Sequence, residues 1–217
     1  MTDKVKKIFL YGGLLAGIAL VIGIIISATA PTLKIIATEI SASDHILGTT
    51  EPKITMIEYS DFQCPACKQY GAVVREVVAE FENHIMFTYR SFPLRKIHSN
   101  AMISAQAAQA AGLQGKFWEM HDVLFISQEI WSPMTQEQAT ETFKQYAKEL
   151  GLDVEKFAKD ISSNEVLEKI AADEKSANAA GLDHTPTFFL NGKEINNPRS
   201  LDEFRKVIRE ELAKINK

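Results

Sequence analysis

The chain has 217 residues, 46% hydrophobic and 24% charged, a composition typical of a folded protein rather than a disordered one. The net charge of -4, from 24 Lys and Arg against 28 Asp and Glu, argues against a general nucleic-acid-binding protein, which needs a basic face. Only two cysteines are present. They exclude a disulfide-stapled scaffold and a zinc or iron–sulfur site held by four thiolates of one chain.

The first predicted element is an apolar segment, Ile8 to Ala30, that contains no charged residue. As a helix it would extend about 34 Å, enough to cross a bilayer core of about 30 Å. Lysines precede this segment, so the positive-inside rule places the N-terminus in the cytoplasm and everything after Ala30 outside. We therefore predict that residues 1–30 form a cytoplasmic N-terminus and an uncleaved, single-pass transmembrane anchor.

The alternative is a cleaved signal peptide, because Ala28 and Ala30 match a small-residue cleavage site. Against it, the apolar segment is longer than a typical signal-peptide core, and Pro31 would follow the cut, where proline is expected to hinder the peptidase. Both interpretations place the rest of the chain outside the cytoplasm. Residues 31–52 are mixed in composition and are predicted to form a tether.

A strand–helix–strand unit follows the tether. Lys53 to Tyr59 is rich in β-branched and aromatic residues, which predicts a mostly buried strand. After the Cys-Pro-Ala-Cys sequence at 64–67, apolar residues recur at helical spacing from Tyr70 to Phe81. Ile85 to Phe92 predicts a second strand. Because a helix joins the two strands, we expect them to pair in parallel with a right-handed crossover.

The remainder of the chain changes from helical to mixed character. Arg95 to Gly181 contains alanine-rich, helix-prone segments, which predict about four helices and no strand. Thr187 to Leu190 predicts another strand, and Asn191-Gly192 is typical of a type I′ hairpin that returns through a short strand. The last helix is predicted to begin at Ser200, the first residue of a capping box.

Both cysteines lie in one C-x-x-C motif at a strand–helix junction. A thiol must ionise to act as a nucleophile, and its ordinary pKa is about 8.5. At a helix N-terminus, the unpaired N–H groups and the helix dipole stabilise a thiolate, and Cys64 is expected at that position. Cys67 lies one turn deeper, shielded from large partners. The asymmetry predicts that Cys64 is the nucleophile and Cys67 the resolving thiol.

Two other functions of the motif compete with a redox-active pair. A zinc half-site would need two further ligands, and none is suitably spaced within the chain. A purely structural disulfide is possible outside the cytoplasm, but such a small ring constrains little chain entropy and stabilises weakly. The motif therefore favours redox chemistry.

Several motifs in the same order resemble the DsbA-like thioredoxin-fold family, in its membrane-anchored branch. The residues that carry the resemblance are EYSDFQCPAC (58–67), FPL (92–94) with His98 after it, the helical block, and TPTFFLNG (185–192). The family fold is an α/β thioredoxin domain, a central mixed sheet flanked by helices, with an all-helical domain inserted after the second strand. The resemblance implies a thioredoxin-like domain of residues 53–94 and 182–217, with the helical insertion at 95–181.

The resemblance also implies a substrate-binding surface beside the cysteines. Pro186 matches the cis-proline that faces the disulfide, and Thr185 would present its backbone to an extended substrate segment as an added strand. We also assign Pro65 and Ala66, between the cysteines, to substrate binding. For Pro186, the alternative is an ordinary proline at the start of a strand.

Glu58 matches the family's buried acid beneath the cysteines. A buried carboxylic acid has a raised pKa and can relay the proton of Cys67. The alternative is a side chain that points to solvent from an edge strand. We predict four catalytic residues: Cys64, Cys67, Glu58 and Pro186.

One departure from the family concerns Ala66, where the best-known strongly oxidising members have histidine. Without that nearby cation, the pair should be less oxidising. His184 stands just before Thr185 and could restore some positive charge, although a loop histidine without such a contact is the favoured interpretation. His98 is predicted to be structural.

The sequence therefore predicts an extracytoplasmic thiol–disulfide oxidoreductase that donates the Cys64–Cys67 disulfide to unfolded or reduced proteins. The resemblance implies reoxidation by a quinone-linked membrane protein of the DsbB or vitamin-K-epoxide-reductase-like type. No organic cofactor, metal or nucleic acid is expected. Two alternatives stay open, a disulfide reductase or isomerase, and a membrane-anchored peptide-binding or chaperone module whose disulfide is inert.

Overall fold

The computed structural model describes residues 40–215; the predicted anchor, residues 31–39 of the predicted tether and residues 216–217 lie outside the described residues. The strands are β1 (Ile46–Gly48), β2 (Ile54–Ser60), β3 (Ile85–Ser91), β4 (Thr187–Leu190) and β5 (Lys193–Ile195). The helices are α1 (Pro65–Glu80), α2 (Ala101–Gly112), α3 (Phe117–Ile126), α4 (Gln128–Trp131), α5 (Gln136–Glu149), α6 (Val154–Asp160), α7 (Asn164–Ala179) and α8 (Leu201–Ile215). None of these helices combines the length and hydropathy that a membrane span requires.

One mixed sheet organises the described residues, with strand order β1-β3-β2-β4-β5. β2 and β3 pair in parallel across the α1 crossover, in the register Ile54↔Ile85, which confirms the predicted strand–helix–strand unit. The other three pairings are antiparallel. Asn191 and Gly192 between β4 and β5 both have positive φ, 47° and 77°, as the predicted type I′ turn requires.

The two faces of the sheet are covered by different helices. α1 and α8 pack on one face, where valines of α1 and Phe204 and Ile208 of α8 share a core with Met56 and Phe87. α7 covers the other face through Ala177, which belongs to a cluster with Ile57, Tyr59 and Phe189 of the sheet. Because successive strand residues point to opposite faces, neighbours such as Glu58 and Tyr59 enter different environments.

Six helices, α2 to α7, lie between β3 and β4, where the sequence predicted about four. Gly115 and Gly151, both at φ 76°, occupy the turns that end α2 and α5, and a separate single turn forms α4. The core of this insertion is built around Trp131, Phe143 and Phe157. The same apolar cluster also contains both cysteines, so the insertion packs directly beneath the C-x-x-C motif.

The N-terminal strap, defined here as residues 40–48, lies within the segment predicted as a tether. Its strand β1 pairs antiparallel with β3 and was not predicted, because three residues carry too weak a periodic signal. Gly48 has φ 90°, and a Cβ there would meet the Ile85 carbonyl oxygen at 2.2 Å. The His45 ring stacks on Phe117 of the insertion, with ring centroids 3.9 Å apart. The strap is thus packed onto the domain rather than extended away from it.

Candidate active site

Cys64 is the N-cap residue of α1, with Pro65 in the first turn. Its backbone N–H donates to the Asp61 carbonyl at 3.0 Å, and its own carbonyl accepts from the N–H of Lys68 at 3.2 Å. The residue is 8% exposed, and the neighbouring Pro65 and Ala66 are exposed. The sulfur therefore lies at the surface end of the helix, where N–H groups without helical partners point towards it.

The environment of Cys64 favours its thiolate. A hydrogen bond from the Cys67 thiol is the largest influence, and it lowers the pKa of Cys64 to about 5 against the opposing effect of burial. The backbone N–H groups of Cys67 and Ala66 and the side chain of Thr185 act in the same direction. A thiol with this pKa is almost fully ionised at neutral pH.

Cys67 has the opposite properties. It is 0% exposed, and burial raises its pKa well above the ordinary value. The Cys64 thiolate raises the pKa further, because two neighbouring sulfurs cannot both carry charge at low cost. Both cysteines are free thiols in this structure, which therefore describes the reduced form. A thiolate at the surface end of the helix and a thiol buried one turn deeper form the pair that the motif predicted.

Glu58 lies on β2, the central strand, and is 1% exposed, so its side chain does not point to solvent from an edge. Burial raises the pKa of Glu58 to about 8, and its Oε1 atom has no hydrogen-bond partner among the described residues. Its charge in turn contributes to the raised pKa of Cys67. The structure thus brings a protonated carboxylic acid and the buried thiol together, and a catalytic role for Glu58 stays a prediction.

The Thr185–Pro186 peptide bond is cis, and this turn faces Cys64. The Cys64 sulfur lies 3.7 Å from the Thr185 carbonyl oxygen, a contact that is a hydrogen bond only while Cys64 carries its proton. Thr185 is buried, and its hydroxyl has no hydrogen-bond partner of ordinary geometry within residues 40–215. The structure therefore places the turn that precedes β4 directly against the Cys64 sulfur.

Two polar residues near the cysteines were missed by the sequence analysis. The Gln128 side-chain amide in α4 donates to the carbonyls of Phe62 at 2.7 Å and Cys64 at 2.9 Å, and so ties the insertion to the active-site turn. Asp61 accepts from the backbone N–H of Gln63 and from the His98 ring, both at 2.8 Å. Asp61 could have been identified from the sequence, because it lies within the motif EYSDFQCPAC. Gln128 could not, because no motif surrounds it.

The two histidines discussed from the sequence occupy different environments. The His184 side chain is 62% exposed and contacts Asp183, its own neighbour in the chain. The His98 side chain is 16% exposed and lies against the active-site turn through Asp61. Within residues 40–215, no cluster of three or more His, Cys, Asp or Glu is arranged to hold a metal ion.

Comparison with protein families gives a match to the family model described as Thioredoxin over residues 41–210. Among curated proteins, the chain is 38% identical over 159 residues to Na(+)/H(+) antiporter NhaA 1 of Mycolicibacterium gilvum, which covers 71% of this chain and 24% of that protein. It is 33% identical over 170 residues to Na(+)/H(+) antiporter NhaA 3 of Salinispora tropica, over 78% of this chain and 25% of that protein. The chain thus spans about a quarter of the length of these relatives.

Solved structures share the fold over most of the chain. A thioredoxin-like oxidoreductase from Silicibacter pomeroyi is 25% identical, with a TM-score of 0.67 over 85% of this chain and 99% of that one. Oxidised BdbD from Bacillus subtilis is 21% identical, with a TM-score of 0.68 over 79% and 94%. Wolbachia pipientis α-DsbA1 is also 21% identical, with a TM-score of 0.69 over 81% and 94%.

Proposed function

The chain belongs to the thioredoxin family. We propose that it is a DsbA-like thiol–disulfide oxidoreductase that acts outside the cytoplasm and donates its Cys64–Cys67 disulfide to reduced proteins. The observation that carries the proposal is the opposite ionisation of the two sulfurs. Cys64 has a pKa of about 5, whereas burial keeps Cys67 protonated. A stable thiolate on Cys64 stabilises the reduced form of the protein, which makes its disulfide a better oxidant.

The reaction begins with attack of a substrate thiolate on the Cys64 sulfur of the disulfide. The Cys64–Cys67 bond breaks, a mixed disulfide forms between substrate and Cys64, and Cys67 leaves with the electron pair. A second substrate thiolate then attacks the substrate sulfur of the mixed disulfide, and Cys64 leaves as a thiolate. The substrate has lost two electrons as its disulfide forms, and the enzyme has gained them as a dithiol.

Glu58 supplies the proton that the first step requires. Cys67 leaves as a thiolate in a buried site where its charge is unstable, as its raised pKa indicates. A carboxylic acid with a pKa of about 8 is protonated at neutral pH and can donate to that sulfur. The same carboxylate can accept a proton from Cys67 when the enzyme is reoxidised.

Substrate binding is assigned to the surface around Cys64. Thr185, beside the cis-proline turn, is close enough to Cys64 to align an extended substrate segment by its backbone, as an added strand. Pro65 and Ala66 are exposed next to the reactive sulfur, where an incoming chain must pass. These contacts involve backbone atoms and small side chains, which suits substrates of varied sequence.

The proposed location and partners are argued from the sequence. The apolar segment Ile8 to Ala30, with lysines before it, supports a single-pass anchor with the catalytic domain on the outer side of the membrane. Reduced enzyme would need an electron acceptor there. We assign reoxidation to a quinone-linked membrane protein of the DsbB or vitamin-K-epoxide-reductase-like type.

An equilibrium redox titration of the full-length chain in detergent micelles against glutathione tests the direction of the reaction. We expect a reduction potential above about -200 mV, which favours disulfide donation. A clearly lower potential would instead support a reductase or isomerase, consistent with Ala66 between the cysteines. A pair that resists reduction altogether would support an inert disulfide in a peptide-binding module.

Two variants test the roles of the sulfurs. Cys64→Ser should abolish oxidation of a reduced, unfolded protein, because no sulfur remains for the substrate to attack. Cys67→Ser should accumulate mixed disulfides on Cys64, because the resolving thiol is missing. Unchanged activity in Cys64→Ser would refute the assignment of the nucleophile.

A further inference from the structure

A loop from the beginning of the helical insertion wraps around the active-site turn. In this loop, residues 92–100, the N–H of Leu94 donates to Asp61 Oδ2 at 2.9 Å, and the N–H of Asn100 donates to Gln63 Oε1 at 2.6 Å. His98 lies between these two contacts, and its Nδ1–H donates to Asp61 Oδ2 at 2.8 Å. The loop is thus held against the residues that immediately precede the nucleophile.

We propose that His98, fixed by Asp61, supplies the positive charge that stabilises the Cys64 thiolate, and so acts as a positioning residue for the electrostatics of the active site. The proposal deepens the proposed function and rests on Cys64 being the reactive sulfur. It replaces the expectation that His98 is structural. The position between the cysteines that could carry such a charge holds Ala66.

The surroundings of His98 favour a charged ring next to the reactive helix end. The Asp61 side chain is 0% exposed, so this carboxylate interacts with the imidazolium with little screening by solvent. Asp61 also accepts the Cys64 N–H through its backbone carbonyl at 3.0 Å, which links histidine and nucleophile through one residue. His98, Gln63 and Pro65 line one cavity of about 660 Å³ on this face.

Other charges near this cavity largely compensate each other. Lys68 of α1 and Glu129 of α4, which also line the cavity, form an ion pair at 2.7 Å. Within the loop itself, Arg95 pairs with Glu174 of α7, and Lys96 is exposed to solvent. Asp61 is the charged group that contacts the His98 ring directly, and the Cys64 thiolate is the next anion along the turn.

The pKa of His98 agrees with this arrangement. The hydrogen bond to Asp61 raises the pKa of His98, partial burial opposes it, and the Cys64 thiolate raises it further. Such coupling is reciprocal: if ionised Cys64 favours protonated His98, then protonated His98 favours ionised Cys64 by the same free energy. Formation of the disulfide removes the thiolate, so the pKa of His98 must fall when the protein is oxidised.

The test compares two matched variants, His98→Asn and His184→Asn, in the reduced full-length chain in detergent micelles. Asparagine retains an N–H donor in the position of Nδ1 and can keep the bond to Asp61, but it carries no charge. His184 is a suitable control because its ring also contacts an aspartate, Asp183, but its side chain is exposed. The thiolate absorbance at 240 nm, followed as the pH is lowered, reports ionisation of Cys64.

We expect the midpoint of the Cys64 titration to rise by about one pH unit in His98→Asn and to stay unchanged in His184→Asn. At neutral pH, the equilibrium of His98→Asn with glutathione should shift about tenfold towards the disulfide, which corresponds to about 30 mV. A His98→Asn midpoint equal to that of the wild type would overturn the proposal. So would an equal shift in His184→Asn.

A measurement on the wild-type protein keeps the proposal testable if His98→Asn does not fold. NMR titration of the labelled histidine rings should give a lower pKa for His98 in the oxidised form than in the reduced form, with no difference for His184. Equal His98 values in the two forms would overturn the proposal. These measurements use no substrate, so they remain interpretable if the redox titration argues against disulfide donation. Likewise, the redox titration remains interpretable if His98 proves to have no effect on Cys64.

Discussion

Strands β2 and β3 carry polar side chains on both faces of the sheet. On one face these side chains are paired with opposite charges, and on the other face they are not. Glu58 and Tyr89 face the cysteines, whereas the next residues, Tyr59 and Arg90, face α7 and the N-terminal strap. Both sets are almost completely buried. Burial alone therefore does not distinguish the polar residues beside the cysteines from those on the α7 face.

On the α7 face, the charged groups have partners. Asp44 of the strap accepts from Arg90 at 2.8 Å and from Lys169 at 2.9 Å, and Lys169 also donates to Asp173 at 2.6 Å. These bonds connect the strap, β3 and α7. The Arg90 and Lys169 charges and their hydrogen bonds lower the pKa of Asp44 against burial, so the carboxylate stays ionised.

On the cysteine face, the polar groups lack such partners. Glu58 Oε1, Ser60 Oγ and Tyr89 Oη make no hydrogen bond of ordinary geometry with a described residue. Burial therefore raises the pKa of Glu58 to about 8 and that of Tyr89 well above its usual value. The paired charges on the α7 face thus connect different segments of the chain. The unpaired, buried Glu58 instead stays protonated and can transfer its proton.

The greatest loss of stability is expected when a buried ion pair on the α7 face is disrupted. Arg90→Met should lower the free energy of unfolding by about 3–5 kcal/mol, because it leaves the buried Asp44 with Lys169 as its main cationic partner. Urea denaturation measures the loss. The control is Arg95→Met, whose partly exposed pair with Glu174 should cost less than about 1 kcal/mol. Equal losses would show that the network contributes no more than a surface pair.

A smaller, pH-dependent effect is expected on the cysteine face. Folding raises the pKa of Glu58 from 4.5 to about 8, so between these values the folded protein keeps a proton that the unfolded chain has released. Rising pH therefore destabilises the wild type through this group, and Glu58→Gln should remove that loss. We expect the variant to gain about 3 kcal/mol relative to the wild type between pH 4.5 and pH 7.

Urea denaturation of both reduced proteins across this pH range tests the prediction for Glu58. Parallel stability curves for Glu58→Gln and the wild type would mean that Glu58 is already ionised in the folded protein at neutral pH. In that case it could not donate a proton to Cys67.

The smallest changes in stability are expected for two tyrosines, one on each face of the sheet. The Tyr59 hydroxyl accepts from Arg90 at 3.1 Å and shares a hydrogen bond of 2.8 Å with Ser176, so Tyr59→Phe should cost about 1–2 kcal/mol. The Tyr89 hydroxyl makes no hydrogen bond of ordinary geometry to the part of the chain that the structure describes, so Tyr89→Phe should change stability by less than about 0.5 kcal/mol. Thermal or urea unfolding of the two variants distinguishes them. A larger cost for Tyr89→Phe would reveal a partner for that hydroxyl.

Local patterns were enough to predict much of the fold. The parallel strand–helix–strand unit and the hairpin at Asn191-Gly192 are each contained in a short segment whose periodicity or turn chemistry is visible in the sequence. The strand β1 and the division of the insertion into six helices were not predicted. Short elements of this kind are stabilised by the surfaces on which they pack rather than by their own pattern.

The same limit applies to the site. The resemblance predicted Glu58 as a buried acid, and the structure shows it buried; the strand pattern alone left the alternative open, because exposure depends on which strands flank β2. The sequence predicts a structural His98, since nothing in the loop sequence indicates that Asp61 contacts its ring. His184, closer in sequence to Pro186, proves to be exposed.

The pair of thiols could be recognised without the fold: the two cysteines lie one helical turn apart, at the start of a helix that follows a buried strand. That information is local, because the helix end that stabilises the Cys64 thiolate is built from adjacent residues. The distant groups that surround the sulfurs, and the face that each polar residue enters, depend on how whole elements pack. Asp44 and Lys169 are 125 positions apart in the chain, and packing of whole elements brings such pairs together.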